Sequence, residues 1–479
     1  MQSPYRILLT LIIVFAVVGC APITPTAEPP TAEPPTAEPT IEETATPEAT
    51  ETPAAGFIPF DAFIAGVSSA TYEDYAGKEG VNVDNPETFQ EMQSYILTMY
   101  ANAKQVSSFT DESGMLYFDC ITIDTQPSVV LQGIQKIERV PPQAAAEDKL
   151  EEGETPGKGE YAPSPLTLGL EDPFGNSISC PDDTIPMQRI TLDKLVQYPD
   201  LRAFFSKDSD GSGGLPPTPK EDTPKPDDGA ASHRYAVGYQ NLTNFGGNSW
   251  LNLWNPSIRG GTMSLSQQWY DAGAGSGTQT VEGGWQVLPQ KYNTANAVLF
   301  IYWTADNYGS TGCYNLDCAG FVQINNHWYL GGPWTNYSST GETQWGFEMQ
   351  WKLFRGNWWL FLKGPGDYEA VGYYPTSIYN GGALATSATA IKYGGETAGS
   401  SPWPQMGSGQ FADQGWQRAA YQNTIFYIPQ DQDDGTGVWA DLSEYEPSPD
   451  CYTIDIVPAA RGGDWGTYLF FGGPGADSC

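Results

Sequence analysis

The amino-acid sequence predicts a mainly β protein: an antiparallel β-sandwich over residues 233–479, preceded by a small α+β unit over residues 57–206. Three observations carry this. After residue 233 tryptophan, tyrosine and glycine become dense and helical periodicity disappears. The stretch Trp345-Gly-Phe-Glu-Met-Gln-Trp-Lys-Leu353 alternates strictly, placing Trp345, Phe347, Met349, Trp351 and Leu353 on one face. Many further short segments of β character are separated by Gly, Asn and Pro turns, the pattern of a sandwich.

Taken in order, the chain begins with a targeting segment at residues 1–20. Arg6 precedes the apolar run Ile7–Val18, too short to span a membrane as a mature helix. It ends in Val17-Val18-Gly19-Cys20, which resembles a bacterial lipobox and makes Cys20 the expected lipidation site. Residues 21–56 repeat Thr-Ala-Glu-Pro, a composition that buries no core and reads as an extended tether. Within 57–206, Asn85-Pro86 marks a helix start, and Phe89, Met92, Ile96, Met99 and Ala103 follow helical spacing. Leu116–Pro127 alternates like a strand. Cys120 and Cys180 are the only cysteines of this unit and are expected to pair. Residues 207–232 are rich in Ser, Asp, Gly and then Pro, and read as an exposed linker.

Strands are expected at Arg234–Gln240, Thr262–Tyr270, Ala297–Trp303, Ala319–Asn325, Trp345–Leu353, Trp358–Leu362, Glu369–Tyr374, Trp416–Tyr427, Cys451–Val457 and Thr467–Phe471. Cys313 and Cys318 can close a tight loop, and Cys451 and Cys479 can pin the last strand to the terminus. No ligand cluster accompanies Cys313 and Cys318, so neither a metal nor a cofactor is expected.

Charge and composition narrow the function. The 479 residues hold 22 lysines and arginines against 57 aspartates and glutamates, a net charge of −35. Nucleic acid is an unsuitable partner for such a chain. With two histidines, His233 and His327, histidine-based zinc sites and Ser-His-Asp triads lack raw material. Carboxylates are the abundant reactive group. Two of them stand out: Glu282, in Gln279-Thr-Val-Glu-Gly-Gly-Trp-Gln-Val287, and Glu396, in Ala390-Ile-Lys-Tyr-Gly-Gly-Glu396. Each falls opposite an apolar strand face, beside two glycines that would leave open space for a substrate. Two carboxylates in one groove can divide the work of acid and base on water, and their titrations couple. Pattern alone leaves Asp306, Asp317, Glu348 and Asp455 equally available. Gln267 shares a face with apolar neighbours and would need a buried partner. Gln286 shares the Glu282 face, one of Tyr302 and Trp303 should enter the groove, Tyr393 is a candidate aromatic wall for a substrate subsite, and Gly395 immediately precedes Glu396.

Residues 233–479 resemble the neprosin family of glutamic peptidases. The likeness rests on Met263–Trp269, Val281-Glu-Gly-Gly-Trp-Gln-Val287, Tyr302–Asp306, Thr311-Gly-Cys-Tyr-Asn-Leu-Asp-Cys-Ala-Gly-Phe-Val-Gln323, Gly356–Leu360, Gly394-Gly-Glu396 and Gln405–Gly409. The resemblance implies that Glu282 and Glu396 are the catalytic pair and that the groove binds an extended peptide. It further implies cleavage after proline in acid, without a metal. Residues 57–206 then look like an activation domain that makes a zymogen, with the aligned stretch at Phe118–Pro127. The expected protein is an exported lipoprotein, a monomer held at the membrane through Cys20, acting on proline-containing polypeptides. A cut in the 207–232 linker would release the catalytic part. The alternatives are a lipid-tethered β-sandwich that only binds polysaccharide or peptide, and a glycosidase using the same two carboxylates.

Overall fold

Phe347, Met349, Trp351 and Leu353 are buried against Val281, Trp285 and Ile391 of a facing sheet, so the alternation read from the sequence is the wall of a two-sheet core. This computed structural model describes residues 57–110, 116–147, 155–162, 179–207, 216, 233–259, 261–433, 435–476 and 479. The targeting segment with Cys20, the tether, and the linker apart from Lys207 and Pro216 lie outside the described residues.

The first unit contains α1 (Phe60–Ser69), α2 (Pro86–Tyr100), β1 (Gln105–Thr110), β2 (Tyr117–Thr122), α3 (Pro127–Leu131), β3 (Ala146–Glu147), β4 (Glu160–Tyr161), β5 (Thr184–Gln188), α4 (Leu192–Leu195) and α5 (Leu201–Phe205). The Asn85 side chain accepts a 2.8 Å bond from the Thr88 amide, and Pro86 fills the first turn of α2. Phe89, Met92, Ile96 and Met99 are its buried stripe, while Ala103 lies beyond its end. β1, β2 and β5 form a small antiparallel sheet, stapled through the Cys120–Cys180 disulfide.

The sandwich follows as β6 (His233–Asn244), β7 (Gly246–Asn252), β8 (Met263–Ala272), β9 (Gln279–Val287), β10 (Val298–Thr304), β11 (Cys313–Tyr314), β12 (Val322–Gln323), β13 (Trp345–Phe354), β14 (Asn357–Lys363), β15 (Glu369–Pro375), β16 (Ala388–Ala398), β17 (Ala420–Tyr427), β18 (Thr436–Trp439), β19 (Ser443–Tyr445), β20 (Thr453–Val457) and β21 (Tyr468–Gly472). Among the described residues one sheet runs β11-β10-β9-β8-β16-β6-β19. The other runs β12-β15-β14-β13-β7-β17-β18, with β21 and β20 added through β17. Pairing within the sandwich is antiparallel. Cys313–Cys318 and Cys451–Cys479 are bonded as expected.

The first unit does not sit apart. β3 extends the second sheet beside β18 and β4 pairs with the start of β13, both parallel. Val129 packs on Val322, Trp359, Phe361 and Tyr373 of that sheet's outer face, and Ala145 on Phe426 and Ile428. Helix α5 lies at the outer face of the first sheet, where Arg202 donates to the carbonyls of Tyr308 and Thr311.

Several expected strands are shorter than read. Ala319–Asn325 reduces to β12 because the Asn325 side chain accepts from the amides of His327 and Trp328, turning the chain. Trp416–Tyr427 begins only at Ala420, since Gln417 occupies a turn with φ of 62°. Leu116–Pro127 stops at Thr122, and Gln126 turns to bond both the amide and the carbonyl of Gln323. The central strand β7 was hidden by its Gly-Gly-Asn-Ser start. A Cβ on Gly247 would stand 2.4 Å from the Phe426 carbonyl oxygen, so a glycine there marks close sheet packing, not a turn.

Candidate active site

β9 sends Val281, Trp285 and Val287 into the core and Thr280, Glu282 and Gln286 to the outer face of the first sheet. β16 does the same, with Ile391 and Tyr393 inward and Glu396 outward. β8 lies between β9 and β16 and hydrogen-bonds to both. The two carboxylates therefore meet across one intervening strand. Both are fully buried, and both touch a single cation: Lys207 Nζ is 2.7 Å from Glu282 Oε2 and 3.2 Å from Glu396 Oε2.

The surroundings of the two acids differ. Glu282 accepts from Gln267 Nε2 (2.8 Å), Thr280 Oγ1 (2.7 Å) and the Tyr308 hydroxyl (2.5 Å). Glu396 has His233 Nδ1 at 2.5 Å from its Oε1. Burial and the neighbouring Glu282 charge push the Tyr308 hydroxyl well above the usual tyrosine range, so it stays a donor. Lys207 is desolvated, which favours its neutral form, but the two carboxylates outweigh this and hold it above the ordinary lysine value. Its ammonium also lies 3.3 Å from Gln267 Oε1 and 5.4 Å from the centre of the Trp269 ring.

The loop after β10 sets Tyr308, which holds φ of 59°, a left-handed conformation unusual for an aromatic residue. Asp306 braces that loop by accepting from the amides and hydroxyls of Ser310 and Thr311, bonds that hold its carboxyl well below the usual range despite partial burial. An aromatic surface flanks the acids, made by Tyr235, Trp269, Phe300, Tyr302 and Tyr314.

The sequence-derived candidates separate cleanly. Gln267 bonds Glu282, and Lys207 joins Glu282, Glu396 and Gln267. Tyr302 lies opposite Glu282 in the β9–β10 pairing and stacks on Tyr308 at 5.8 Å. Gln286 is on the same face but donates to the Tyr292 hydroxyl, away from the pair. Trp303 and Tyr393 are not on the face that carries the two acids. Trp303 packs near Tyr374 and Tyr379 in the core, and the Tyr393 hydroxyl meets that of Tyr270 at 3.1 Å between the sheets. Gly395 faces inward too, where a Cβ would strike Phe471 and Met406. The glycines beside the acids do not open space for substrate as expected. A Cβ on Gly284 would stand 2.0 Å from the Ser266 carbonyl oxygen, one on Gly283 2.9 Å from Met349 Sδ, and one on Gly394 2.3 Å from the Ala236 carbonyl oxygen. They let neighbouring strands and sheets close up. Of the other acids weighed, Asp306 is the loop brace, Asp317 pairs with Lys291 at 2.6 Å, Glu348 lies on the outer face of the second sheet with Lys363 at 3.0 Å, and Asp455 is exposed.

Sequence reasoning missed Lys207, Tyr308, Thr280 and His233. Lys207 had been placed in the linker, yet its side chain is wholly buried. Its one legible signal is position, two residues past Phe204-Phe205 and just before the chain turns polar. Among the described residues no group of three or more His, Cys, Asp or Glu side chains is arranged to hold a metal ion, and no helix is long and apolar enough to cross a membrane. The three disulfides fit an extracellular compartment.

The Neprosin family model matches residues 260–474. Among solved structures, scytalido-glutamic peptidase with a transition-state analogue inhibitor is similar at 8% identity and a TM-score of 0.29, over 50% of this chain and 97% of that one. A second structure of that enzyme, with a peptide-based analogue, gives 10% identity and 0.29 over the same shares. SCP-B, described as a member of the Eqolisin family of peptidases and bound to the tripeptide Ala-Ile-His, gives 8% identity and 0.25, over 50% of this chain and 98% of that one.

Proposed function

Residues 260–474 are a neprosin-family domain, and on that premise we propose that this chain is a glutamic endopeptidase, proline-directed, acting in acid and made latent by its own first unit. The observation that carries the reading is the convergence of Glu282 and Glu396, from two different strands, on one buried ammonium. Two carboxylates brought together beside a cluster of aromatic rings are the equipment for acid–base attack by water on an amide.

Three neutral donors point at Glu282, which suits it to remain the proton acceptor. Glu396 takes the role of proton donor, held by His233. With Lys207 withdrawn and a peptide in the groove, Glu282 removes a proton from water as the water oxygen bonds to the scissile carbonyl carbon. Glu396 donates to the developing oxyanion. The proton on Glu282 then passes to the amide nitrogen, the C–N bond breaks as Glu396 takes back a proton from one hydroxyl of the collapsing centre, and a carboxylic acid and an amine leave. Gln267 and Tyr308 hold the Glu282 carboxylate for this transfer. The rings of Trp269, Phe300 and Tyr302 offer proline an apolar wall without polar demands.

In the intact chain the ammonium of Lys207 fills the place that water and the scissile carbonyl require. On this reading the first unit is an activation domain and the chain a zymogen. Acid opens it by protonating the carboxylates, which removes the charge that holds Lys207. A cut between residues 207 and 233 then makes opening permanent.

Product mapping tests the reading. Mass spectrometry of a peptide set with proline or alanine at one position, digested by the acid-treated chain, should show cleavage on the C-terminal side of proline, with β-linked and α-linked glycans untouched. Intact peptides with hydrolysed glycans would assign the carboxylates to glycosidic bonds. No hydrolysis of either, with the linker cut, would leave a binding module.

A further inference from the structure

We propose that the outer face of the second sheet, on the side of the sandwich away from Glu282 and Glu396, carries a second polypeptide-binding groove. It takes an extended segment of the pattern Gly-x-Gly-x-Tyr. In the intact chain it is occupied by residues 157–161. When the first unit is displaced it holds the same pattern in a substrate polypeptide. That substrate role rests on the peptidase reading; the groove itself does not.

The groove is built from three parts. The first is a free strand edge. β13 runs past the end of β14, whose last residue Lys363 pairs with Glu348, so Trp345 and Gly346 have no β14 partner. Glu160 and Tyr161 take that edge in parallel register, with the Glu160 and Ala162 amides donating 2.7 Å bonds to the carbonyls of Gln344 and Gly346. This is strand addition, in which the main chain supplies affinity and side-chain pockets supply selectivity.

The second part is a platform of rings. Tyr421 stacks on Trp250 at 5.1 Å and on Trp465 at 4.6 Å, with Trp416 tilted beside it at 5.5 Å. The occupying backbone lies so close to this platform that a side chain at either of two positions would run into the rings as they stand. A Cβ on Gly157 would fall 2.1 Å from Trp416, and one on Gly159 2.5 Å from Trp250. Trp465 Nε1 donates a 2.9 Å bond to the Gly157 carbonyl, fixing the register of the glycines over the rings.

The third part is a socket for a phenol. The Tyr161 hydroxyl bonds to Glu348, which is also held by the Tyr368 hydroxyl and by Lys363 Nζ at 3.0 Å. The Lys363 ammonium lies 5.0 Å from the centre of the Tyr161 ring. Residues 158 and 160 are exposed and carry no selection. Glycine, free position, glycine, free position, tyrosine is thus written into the groove by two steric exclusions and one polar socket.

The test empties the groove in the full chain and offers the segment back. Gly157→Val with Gly159→Val should eject the resident segment. A fluorescein-labelled peptide Thr-Pro-Gly-Lys-Gly-Glu-Tyr-Ala is then titrated by fluorescence polarisation, a reading that needs no catalysis. Saturable binding to this variant is expected, weaker by roughly tenfold or more on the wild-type chain, after a further Trp416→Ala, or when both peptide glycines are valine. If the double variant loses its circular dichroism spectrum, Tyr161→Ala serves in its place. No saturable binding, or binding indifferent to Trp416→Ala, would overturn the groove. Self-association of the emptied variant that Trp416→Ala abolishes would assign the groove to a second copy of the chain instead. For the acid-processed enzyme, a proline substrate carrying the pattern should show a lower KM at equal kcat than its valine counterpart. Equal KM values would remove the substrate role while leaving both the groove and the peptidase reading standing.

Discussion

Lys207 and Glu282 form a wholly buried ion pair across the boundary between the two parts of the chain, and Glu396 shares the same ammonium. A desolvated cation is stable only where charge compensates it, so the acids and the lysine stabilise one another in the intact chain. Replacing Lys207 by Ala should therefore loosen the first unit at the groove by about 3 kcal/mol or more, enough to raise the open population by roughly 100-fold. Peptide hydrolysis by the uncut Lys207→Ala chain, against a silent uncut wild type, is the expected outcome of a fluorogenic assay.

The pH dependence of this lock has a definite sign. Lys207 is held above its ordinary value, so its contribution is complete below the free lysine pKa of about 10.4 and is lost only as pH rises through the higher folded value. Mild alkali should not unmask the groove. The chain held at pH about 10 should remain latent, and acid should open it from the carboxylate side. Activity appearing first on the alkaline side would contradict the arrangement.

Tyr308→Phe removes a 2.5 Å donor from Glu282 without altering the ring packing on Tyr302. A bond to a charged group of this kind contributes about 1.5–3 kcal/mol. The expected result is a fall in kcat of roughly 10–100-fold with KM little changed. An unchanged kcat would mean that the hydroxyl has only a structural part.

Gly284→Ala tests whether the glycines beside Glu282 serve packing. A Cβ there meets the Ser266 carbonyl oxygen at 2.0 Å, a backbone atom that cannot swing away. Chemical denaturation should show a loss of about 1–3 kcal/mol. Retained stability with altered substrate selectivity would restore the view that these glycines open the groove.

How much of this was legible in the sequence follows from the range of each signal. Strand faces are local, and Val281, Trp285, Ile391 and Tyr393 were correctly turned inward from alternation alone. The meeting of Glu282 with Glu396 depends on β8 lying between their strands, a register that alternation does not encode. β7 is hard to read because Gly246 answers to the Trp351 carbonyl and Gly247 to the Phe426 carbonyl and Tyr393, all distant in sequence. Lys207 escaped for the same reason: a lone lysine at the edge of a polar stretch reads as solvated, and only the fold shows that two acids are waiting for it.

The most direct measurement is hydrolysis of a fluorogenic peptide with one central proline by the acid-treated chain, compared with Glu282→Gln and Glu396→Gln, across pH about 2 to 7. Cleavage in acid by the wild type is expected, with a loss of roughly 1,000-fold or more in each variant, since the two acids act as a unit. Activity surviving in either variant would contradict the assignment of the pair.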